Sequence, residues 1–179
     1  MTDMTQFTHS DNNSELFPIV DEQGNVIGSA SRGECHGGGK LLHPVVHLHV
    51  YDNEGRLYLQ KRPVWKDIQP GRWDTAVGGH VDFGENPEDA LRREAREEIG
   101  LVGFIPQWVA RYVFESDREK EFVHVWRTSV EGVLSPSDEL DGGRFWPEDE
   151  ILDSLGKGIF TPNFENEYRS LLLKKDIGQ

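Results

Sequence analysis

Three glutamates stand within one helical turn of each other near the middle of the chain. Glu94, Glu97 and Glu98 are spaced at i, i+3 and i+4, so on a helix their carboxylates share one face. Like charges this close repel each other, which favours a cation that offsets the repulsion. Oxygen-rich clusters of this kind suit Mg²⁺ or Mn²⁺, which also bind substrate phosphates. These residues alone are also compatible with an alternative, a solvated acidic helix face whose charge is balanced by neighbouring arginines.

The segment before the glutamates favours a binding site over a solvated face. Gly78 and Gly79 permit close backbone approach, and Glu85 places another acid just ahead of the helix. We therefore take Gly78 and Gly79 as candidates for contact with a substrate.

The helix that must carry the glutamates has clear start and stop signals. Asn86 is a good N-cap, Pro87 suits the first helical turn, and the acids that follow complement the helix dipole. Gly100 ends the helix at its C-terminal side. Four apolar residues supply a buried stripe beside the acidic face: Ala90, Leu91, Ala95 and Ile99.

The remaining elements follow from hydrophobic alternation and turn residues. Leu57 and Leu59 should point to one side of their strand, and Tyr58 and Gln60 to the other. The predicted strands cover 16–20, 26–28, 45–51, 56–62, 74–81 with a break at the two glycines, 108–114, 121–130 and 143–146, and two later helices begin near 147 and 161. This order predicts a single mixed α/β domain over residues 15–179, after a flexible N-terminal tail over residues 1–14.

Composition narrows the classes of partner. The chain carries 32 acidic and 19 basic residues, a net charge of −13, which argues against binding to a nucleic-acid backbone. Its longest apolar runs are only a few residues, so no membrane-spanning segment is expected. The polar N-terminus lacks the layout of a secretory signal, so we expect a cytoplasmic protein. A small phosphorylated substrate stays compatible with this acidity because divalent metals reverse the charge of an acidic pocket.

The single cysteine, Cys35, excludes an internal disulfide and a multi-cysteine zinc site. A catalytic thiol has to be considered at this position. A small residue in a turn or strand is the better interpretation on general grounds.

Taken together, the glycine, the acids and the arginine form a recognisable motif. It consists of Gly79, five residues, Glu85, seven residues and then the stretch from Arg93 to Leu101. The motif resembles the Nudix box, with every fixed glycine, glutamate and arginine in place. The one departure is Ala95, where the family usually has a larger aliphatic residue. This difference predicts looser packing under the helix and leaves the chemistry intact.

The resemblance implies a Nudix-type three-layer α/β/α sandwich around a mixed β-sheet. It also implies hydrolysis of a nucleoside diphosphate linked to another group, or of a related small-molecule diphosphate. Glu94, Glu97 and Glu98 would then hold the divalent ions, and Glu85 would support the site and pair with Arg93. Bound Mg²⁺ or Mn²⁺ would polarise the diphosphate and activate water for in-line attack.

Two roles stay open at this stage. The general base is one of the helix glutamates or an acid from a later loop, with Glu119, Glu121 and Glu139 as candidates by position. Three cations flank the presumed site and are candidates for binding substrate phosphates: Lys61, Arg62 and Arg72. His47 and His49 are two residues apart, so they face one side of a strand and are candidates to line a pocket.

Outside the box, the chain resembles the isopentenyl-diphosphate isomerase branch of the same superfamily over residues 20–126. In those isomerases a metal is held by three histidines and two glutamates. The matching positions in this chain are His36, His43, His80, Glu119 and Glu121. Imidazoles with carboxylates suit Mn²⁺, Fe²⁺ or Zn²⁺, so the resemblance implies a possible second metal site.

Gly78 separates the chain from the isomerases themselves. They place a catalytic cysteine two residues before the histidine that matches His80, and this chain has glycine there. The isomerases also have a degraded box, whereas this one is complete. We therefore expect a hydrolase on an isomerase-like scaffold, with an isomerase or a noncatalytic diphosphate-ligand sensor as alternatives. The oligomeric state stays open, a homodimer included.

Overall fold

A computed structural model describes residues 11–173 of the chain. Within this range the chain forms nine strands, four α-helices and a π-helical turn. In chain order they are β1 Leu16–Val20, β2 Val26–Ser31, α1 Arg32–His36, β3 Leu42–Tyr51, β4 Leu57–Lys61, β5 Trp73–Thr75, β6 Val77–His80, α2 Pro87–Ile99, β7 Gln107–Glu115, β8 Lys120–Ser129, β9 Gly143–Trp146, α3 Glu148–Ser154, α4 Pro162–Glu167 and the π-turn Tyr168–Leu172. None of these helices has the length and apolar character needed to cross a membrane.

Seven of the strands form one mixed sheet with β3 at its centre. The order is β5-β4-β3-β8-β7, with β6 paired to β3 and β9 paired to β4. The β3–β8 pair is parallel and runs over ten positions, from Leu42↔Lys120 to Tyr51↔Ser129. On the other edge of β3, β6 pairs with its middle and β4 with its last two residues. The strands β1 and β2 form a separate hairpin.

The sheet is covered on both faces. One face packs Val46, Leu48 and Tyr58 against the apolar side of α2. The other packs Leu57 and Leu59 against the helices α3 and α4. The predicted alternation in β4 is therefore confirmed, as is the α/β/α sandwich around a mixed sheet.

The helix α2 has the predicted boundaries. The Asn86 side chain accepts a hydrogen bond from the backbone N–H of Asp89, and Pro87 occupies the first turn. Gly100 ends the helix with φ of 66°, a left-handed conformation that favours glycine. Ala95 is fully buried in the core beside Leu91, so the smaller residue of the motif is accommodated under the helix.

The prediction of one strand over residues 74–81, broken at the glycines, is wrong. The break falls at Ala76, and both glycines lie within β6. Gly78 pairs with His47 and Gly79 with Val46. The chain changes partner at Ala76 because β5 continues the sheet beyond β4, whereas β6 returns to the edge of β3. A local pattern does not show this change of partner.

The segment around Cys35 is a short helix, α1, and not the turn or strand that the sequence suggested. Ser31 and Glu34 form a reciprocal capping box at its start, which satisfies two backbone donors. Cys35 itself is buried and unpaired. A helix of five residues is too short to show a hydrophobic period, so this element was missed.

The predicted tail over residues 1–14 lies mainly outside the described residues. Its described part, residues 11–14, contacts the body of the protein. Lys66 Nζ lies 3.0 Å from Asp11 Oδ1, and the backbone N–H of Gly33 donates to the carbonyl of Asn13 at 3.1 Å. Residues 11 and 13 therefore contact the domain, while residues 1–10 of the predicted tail lie outside the described residues.

Candidate active site

Arg93 ties the loop before α2 to the helix and to β6. Its Nε donates to Glu85 Oε1 and its Nη2 to Glu85 Oε2, both at 3.0 Å. Nη2 also donates to the carbonyl of His80 at 3.0 Å, and Nη1 to Glu94 Oε1 at 2.7 Å. Burial alone would raise the pKa of Glu85, but the hydrogen bonds from Arg93 hold that pKa below its usual value. The predicted pairing of Glu85 with Arg93 is therefore present and bidentate.

We expect Arg93→Lys to lower the free energy of unfolding by about 2 kcal/mol, because an ammonium group cannot replace the bidentate contact. The pKa of Glu85 is lowered in the folded protein. Its contribution is therefore present above the unfolded value and is lost as the pH falls through the folded value. Urea unfolding at neutral and acidic pH measures both effects. Arg96→Lys, on the exposed side of α2, is the control, and equal losses in the two variants would contradict the role given to Arg93.

The three box glutamates have different surroundings. Glu98 accepts hydrogen bonds from the backbone N–H of Gly78 at 3.1 Å and from Gln60 Nε2 at 3.2 Å. Glu94 is mostly buried and ion-paired with Arg93, whereas Glu97 is 52% exposed. These three do not form a cluster with all ligand atoms within 4.8 Å in the part of the chain that is described. They share a face, as predicted, without forming a closed set of ligands.

The electrostatics of the half-buried pair Glu94 and Glu98 suit a cation. Burial raises the pKa of Glu94 to about 7, with Arg93 acting in the opposite direction. Burial and the nearby Glu94 raise the pKa of Glu98 well above its ordinary value. Both carboxylates would be stabilised in their charged form by a divalent ion between them and solvent. This is the fit expected of ligands for Mg²⁺ or Mn²⁺.

Gly79 lies directly beneath the glutamates. A Cβ added to Gly79 would come within 2.2 Å of Glu94 Cδ and 2.5 Å of Glu94 Oε1. Only glycine at this position leaves Glu94 in its observed place. The fixed glycine of the motif therefore serves close packing between β6 and α2.

A second cluster gathers all five residues that match the isomerase metal site. Ring nitrogens of His36, His43 and His80 lie within 4.8 Å of one another, and His43 forms a second such group with Glu119 and Glu121. The two groups share His43, so the five side chains surround one region. They come from α1, the start of β3, the end of β6, the start of β8 and, for Glu119, the residue just before β8.

His43 directs the lone pair of Nε2 toward the other members of this cluster, and Nε2 of His36 lies 3.1 Å from Nε2 of His80. His43 Nδ1 bonds the carbonyl of Leu41 at 2.8 Å, while its Nε2 is fully buried without a partner among the described residues. The ring of Phe17 stacks on the ring of His80, with 4.4 Å between the ring centroids. Burial lowers the pKa of His36 to about 4 and that of His80 well below its ordinary value. Neutral imidazoles oriented by a backbone carbonyl are typical of metal ligands.

Two of the three predicted phosphate-binding cations already have partners in the fold. Arg62 donates to the carbonyl of Ile68 and forms an ion pair with Asp74 at 3.4 Å. Arg72 donates to the carbonyl of Phe160 at 3.3 Å. The side chain of Lys61 has no hydrogen bond or ion pair within residues 11–173. The contacts of these three cations with substrate stay predictions. Lys61 is the one of the three whose side chain has no partner among the described residues.

The loop after β8 brings another predicted residue toward α2. The backbone N–H of Ser137 donates to the carbonyl of Glu98 at 2.8 Å, and that of Asp141 to the carbonyl of Lys61 at 2.9 Å. Glu139 lies between these contacts and is exposed. It stays a candidate base beside Glu119 and Glu121.

The sequence predicted two members of a buried polar network, His47 and His49, but not their partners Glu167 and Tyr112. His47 and His49 face the same side of β3, as predicted, and both contact Glu167 of α4. His47 Nδ1 and His49 Nε2 each lie 2.7 Å from a Glu167 oxygen, and the Tyr112 hydroxyl donates to Glu167 at 2.6 Å. Glu167 is fully buried. The only sequence signal for this network was the spacing of the two histidines.

The His47–Glu167 ion pair should make stability depend on pH in both directions. Burial lowers the pKa of His47, but Glu167 outweighs it and raises the pKa from 6.5 to about 9. This contribution is complete below pH 6.5 and is lost as the pH rises through 9. Burial raises the pKa of Glu167, but His47 and His49 bring it below the ordinary value of 4.5. Its contribution is present above pH 4.5 and is lost as the pH falls through the folded value.

We expect Glu167→Gln to lower the free energy of unfolding by about 3–5 kcal/mol between pH 5 and 6.5, because it removes one partner of a buried ion pair and His47 must then lose its proton or stay charged without a partner. The difference from wild type should shrink as the pH is raised to about 10, where His47 is neutral in both proteins. Urea unfolding across this range measures it. Glu22→Gln, an exposed glutamate in the turn between β1 and β2, is the control, and a difference independent of pH would contradict the ion pair.

Comparison with known proteins places this architecture in a family. A model of the NUDIX domain matches residues 41–164. An uncharacterized Nudix hydrolase of Streptomyces coelicolor is 34% identical over 160 residues, which are 88% of each chain. An isopentenyl-diphosphate Delta-isomerase of Streptomyces griseus is 37% identical over 168 residues, 88% of this chain and 85% of the other. A crystal structure from Deinococcus radiodurans has a TM-score of 0.77 at 23% identity, covering 89% of this chain and 100% of that one.

The relatives are of two kinds. One is an uncharacterized Nudix hydrolase and the other an isopentenyl-diphosphate Delta-isomerase. The Deinococcus structure shows the same fold. The family model covers about two thirds of the chain, including α2 and both glycines of β6. The chain therefore belongs to the Nudix family, whose members act on diphosphate-containing compounds and generally use divalent metal ions.

Proposed function

We propose that the protein is a metal-dependent hydrolase that cleaves a diphosphate linkage in a nucleoside diphosphate derivative or a related small molecule. The observation that carries the proposal is the position of Glu98. Its half-buried carboxylate accepts a hydrogen bond from the backbone N–H of Gly78 and lies beside Glu94, which packs on Gly79 of β6. We further propose a cytoplasmic location and no nucleic-acid partner, in keeping with the net charge of −13.

The roles of the residues follow from their surroundings. Glu94, Glu97 and Glu98 would hold Mg²⁺ or Mn²⁺, which when bound polarises the diphosphate and lowers the pKa of a water molecule. Glu85 and Arg93 keep the helix and loop in position through their bidentate contact. The proton of the attacking water would pass to a carboxylate. Glu119, Glu121 and Glu139 are the acids outside the helix that are proposed for this step.

We propose that the cluster around His43 binds a second cation, with Mn²⁺, Fe²⁺ or Zn²⁺ suited to its mixed donors. The buried, unpartnered His43 Nε2 supports this proposal. Metal content after dialysis against Mn²⁺ should fall by one equivalent in a His80→Asn, Glu121→Gln double variant. His124→Asn, on the other face of the sheet, should leave the metal content unchanged. Equal metal content in all three proteins would reject the second site.

An isomerase is the second candidate because an isomerase relative and the five-residue cluster both favour it. Against it stands Gly78, which has no group that can protonate or deprotonate an allylic carbon. Cys35 does not substitute for the missing thiol, because it is buried and burial raises its pKa to about 11.

One assay separates the hydrolase from its alternatives. The purified protein is incubated with Mg²⁺ or Mn²⁺ and a panel of nucleotide and isoprenoid diphosphates, and products of cleavage and of double-bond migration are measured. Metal-dependent cleavage supports the proposal. Conversion of isopentenyl diphosphate to its isomer would establish the isomerase instead, and tight binding without turnover would favour the noncatalytic sensor.

A further inference from the structure

His47 occupies a special place between the two clusters. It pairs with Gly78 across β3 and β6, and the backbone N–H of Gly78 donates to Glu98. Two residues further along β6 lies His80, which belongs to the histidine cluster. The backbone N–H of Gly78 therefore contacts the half-buried carboxylate of Glu98 in α2, and its Cα lies beside the imidazole of His47. Neither metal cluster uses His47.

The orientation of the His47 ring is fixed by Glu167. A carboxylate accepts hydrogen bonds only, so Nδ1 of His47 carries a proton and donates a hydrogen bond to Glu167 Oε1 of α4. The other nitrogen, Nε2, has no partner within the described residues and is not fully buried. The other nitrogen of His49, by contrast, is fully buried. Of the two rings that Glu167 holds, only His47 has a nitrogen that is not fully buried.

The absence of a side chain at Gly78 is what leaves this nitrogen accessible. A Cβ added to Gly78 would lie 3.5 Å from His47 Cδ2 and 3.7 Å from Nε2. These are ordinary van der Waals distances, so alanine would fit without displacing the ring. It would nevertheless cover the Cδ2–Nε2 edge of the imidazole.

The charge of the ring suits a phosphate. Burial lowers the pKa of His47, but its contact with Glu167 and the nearby Asp74 and Glu121 raise it to about 9. At neutral pH the ring is then an imidazolium, with a proton on both nitrogens. A preoriented donor on a cation is the type of group that stabilises charge developing on phosphoryl oxygens.

We propose that His47 is a catalytic residue whose Nε2–H donates a hydrogen bond to a phosphate oxygen of the substrate, and that Glu167 is its positioning residue. This inference rests on the proposed diphosphate hydrolysis. His47 forms no covalent bond and gives up no proton in this role. In this role the imidazolium of His47 supplies a positive charge. Gly78 lies between this imidazolium and the carboxylate of Glu98.

The kinetic test uses the best substrate of the panel. His47→Gln should lower kcat/KM by about 10²–10³-fold, as expected for loss of one preoriented donor. Gly78→Ala keeps His47 and Glu167 intact and should lower kcat/KM by at least about tenfold, since its methyl group covers Nε2. His124→Gln, a histidine on β8 stacked on Trp126, should leave kcat/KM unchanged. Wild-type kcat/KM in both His47→Gln and Gly78→Ala would overturn the proposal.

A binding test does not depend on turnover. The probe is imidodiphosphate with Mg²⁺, titrated while the ¹⁵N resonances of the histidine rings are followed. We expect Nε2 of His47 to shift and the rings of His49 and His124 to stay unchanged. In Glu167→Gln the His47 ring should become neutral at pH 7 and its shift on titration should be lost, which a purely structural role of Glu167 would not produce.

The two tests fail in different ways. Wild-type protein that hydrolyses no diphosphate would reject the proposed function, and the imidodiphosphate titration would then decide about His47. Hydrolysis by wild type, together with an unperturbed His47 resonance at saturating imidodiphosphate, would reject only the role of His47. Urea unfolding of each variant confirms that the proteins compared are folded.

Discussion

Replacing Glu98 by glutamine is expected to lower kcat/KM for metal-dependent cleavage by about 10³-fold or more. Metal coordination contributes several kcal/mol of transition-state stabilisation, and each 1.4 kcal/mol corresponds to about tenfold in rate. Glutamine is almost isosteric with glutamate, and its amide oxygen can still accept the hydrogen bond from Gly78. The loss should therefore be one of charge and coordination rather than of shape.

Stability should move in the opposite direction to activity in Glu98→Gln. Because burial and Glu94 raise the pKa of Glu98, the charged carboxylate is unfavourable without a cation, and its removal relieves that cost. Without metal, we expect the variant to unfold at the same or a higher urea concentration than wild type. Added Mg²⁺ should raise the Tm of wild type more than that of the variant.

The matched control is Glu88→Gln, an exposed glutamate in the first turn of the same helix that pairs with Arg92. It should keep both activity and the response to Mg²⁺. A Glu98→Gln protein with wild-type turnover and wild-type Tm shift would show that α2 does not provide the metal site.

Gly79→Ala is expected to lower kcat/KM by about 10²-fold or more, because displacing reacting groups by about 1 Å is sufficient for a loss of this size. The added Cβ would lie 2.2 Å from Glu94 Cδ and 2.4 Å from Glu94 Cγ. Glu94 must therefore move, and its ion pair with Arg93 moves with it. Because the clash is with a side chain, the fold should survive.

Gly28→Ala in β2 is the matched control for Gly79→Ala, since no atom lies within 4 Å of a Cβ added there. Steady-state kinetics and urea unfolding of both variants give the comparison. Full activity in Gly79→Ala would mean that the position of Glu94 is not critical. A large loss of stability would mean that β6 and α2 cannot separate locally.

Elements with strong local signals could be predicted from the sequence. The helix α2 begins and ends where Asn86, Pro87 and Gly100 indicated, and β9 has its predicted bounds of Gly143–Trp146. The short helix α1 and the change of partner at Ala76 were not predicted. Both depend on contacts with other parts of the chain. The hydrophobic period of a strand (two residues) or of a helix (3.6 residues) does not predict such contacts.

The sequence by itself determined which acidic side chains share one face of α2. Glu94, Glu97 and Glu98 share a face because helical spacing puts them there. Glu85 lies in the loop just before α2 and pairs with Arg93 in the second turn of that helix. These contacts are local, so spacing in the sequence is enough to predict them.

Only the tertiary structure decided what surrounds that helix. His47 and Glu167 are 120 positions apart and meet because α4 packs on the face of β3 opposite to α2. The parallel pairing of β3 with β8 places Glu121 beside His43. No local pattern contains these contacts, because they depend on the order of strands in the sheet and on which face each helix covers.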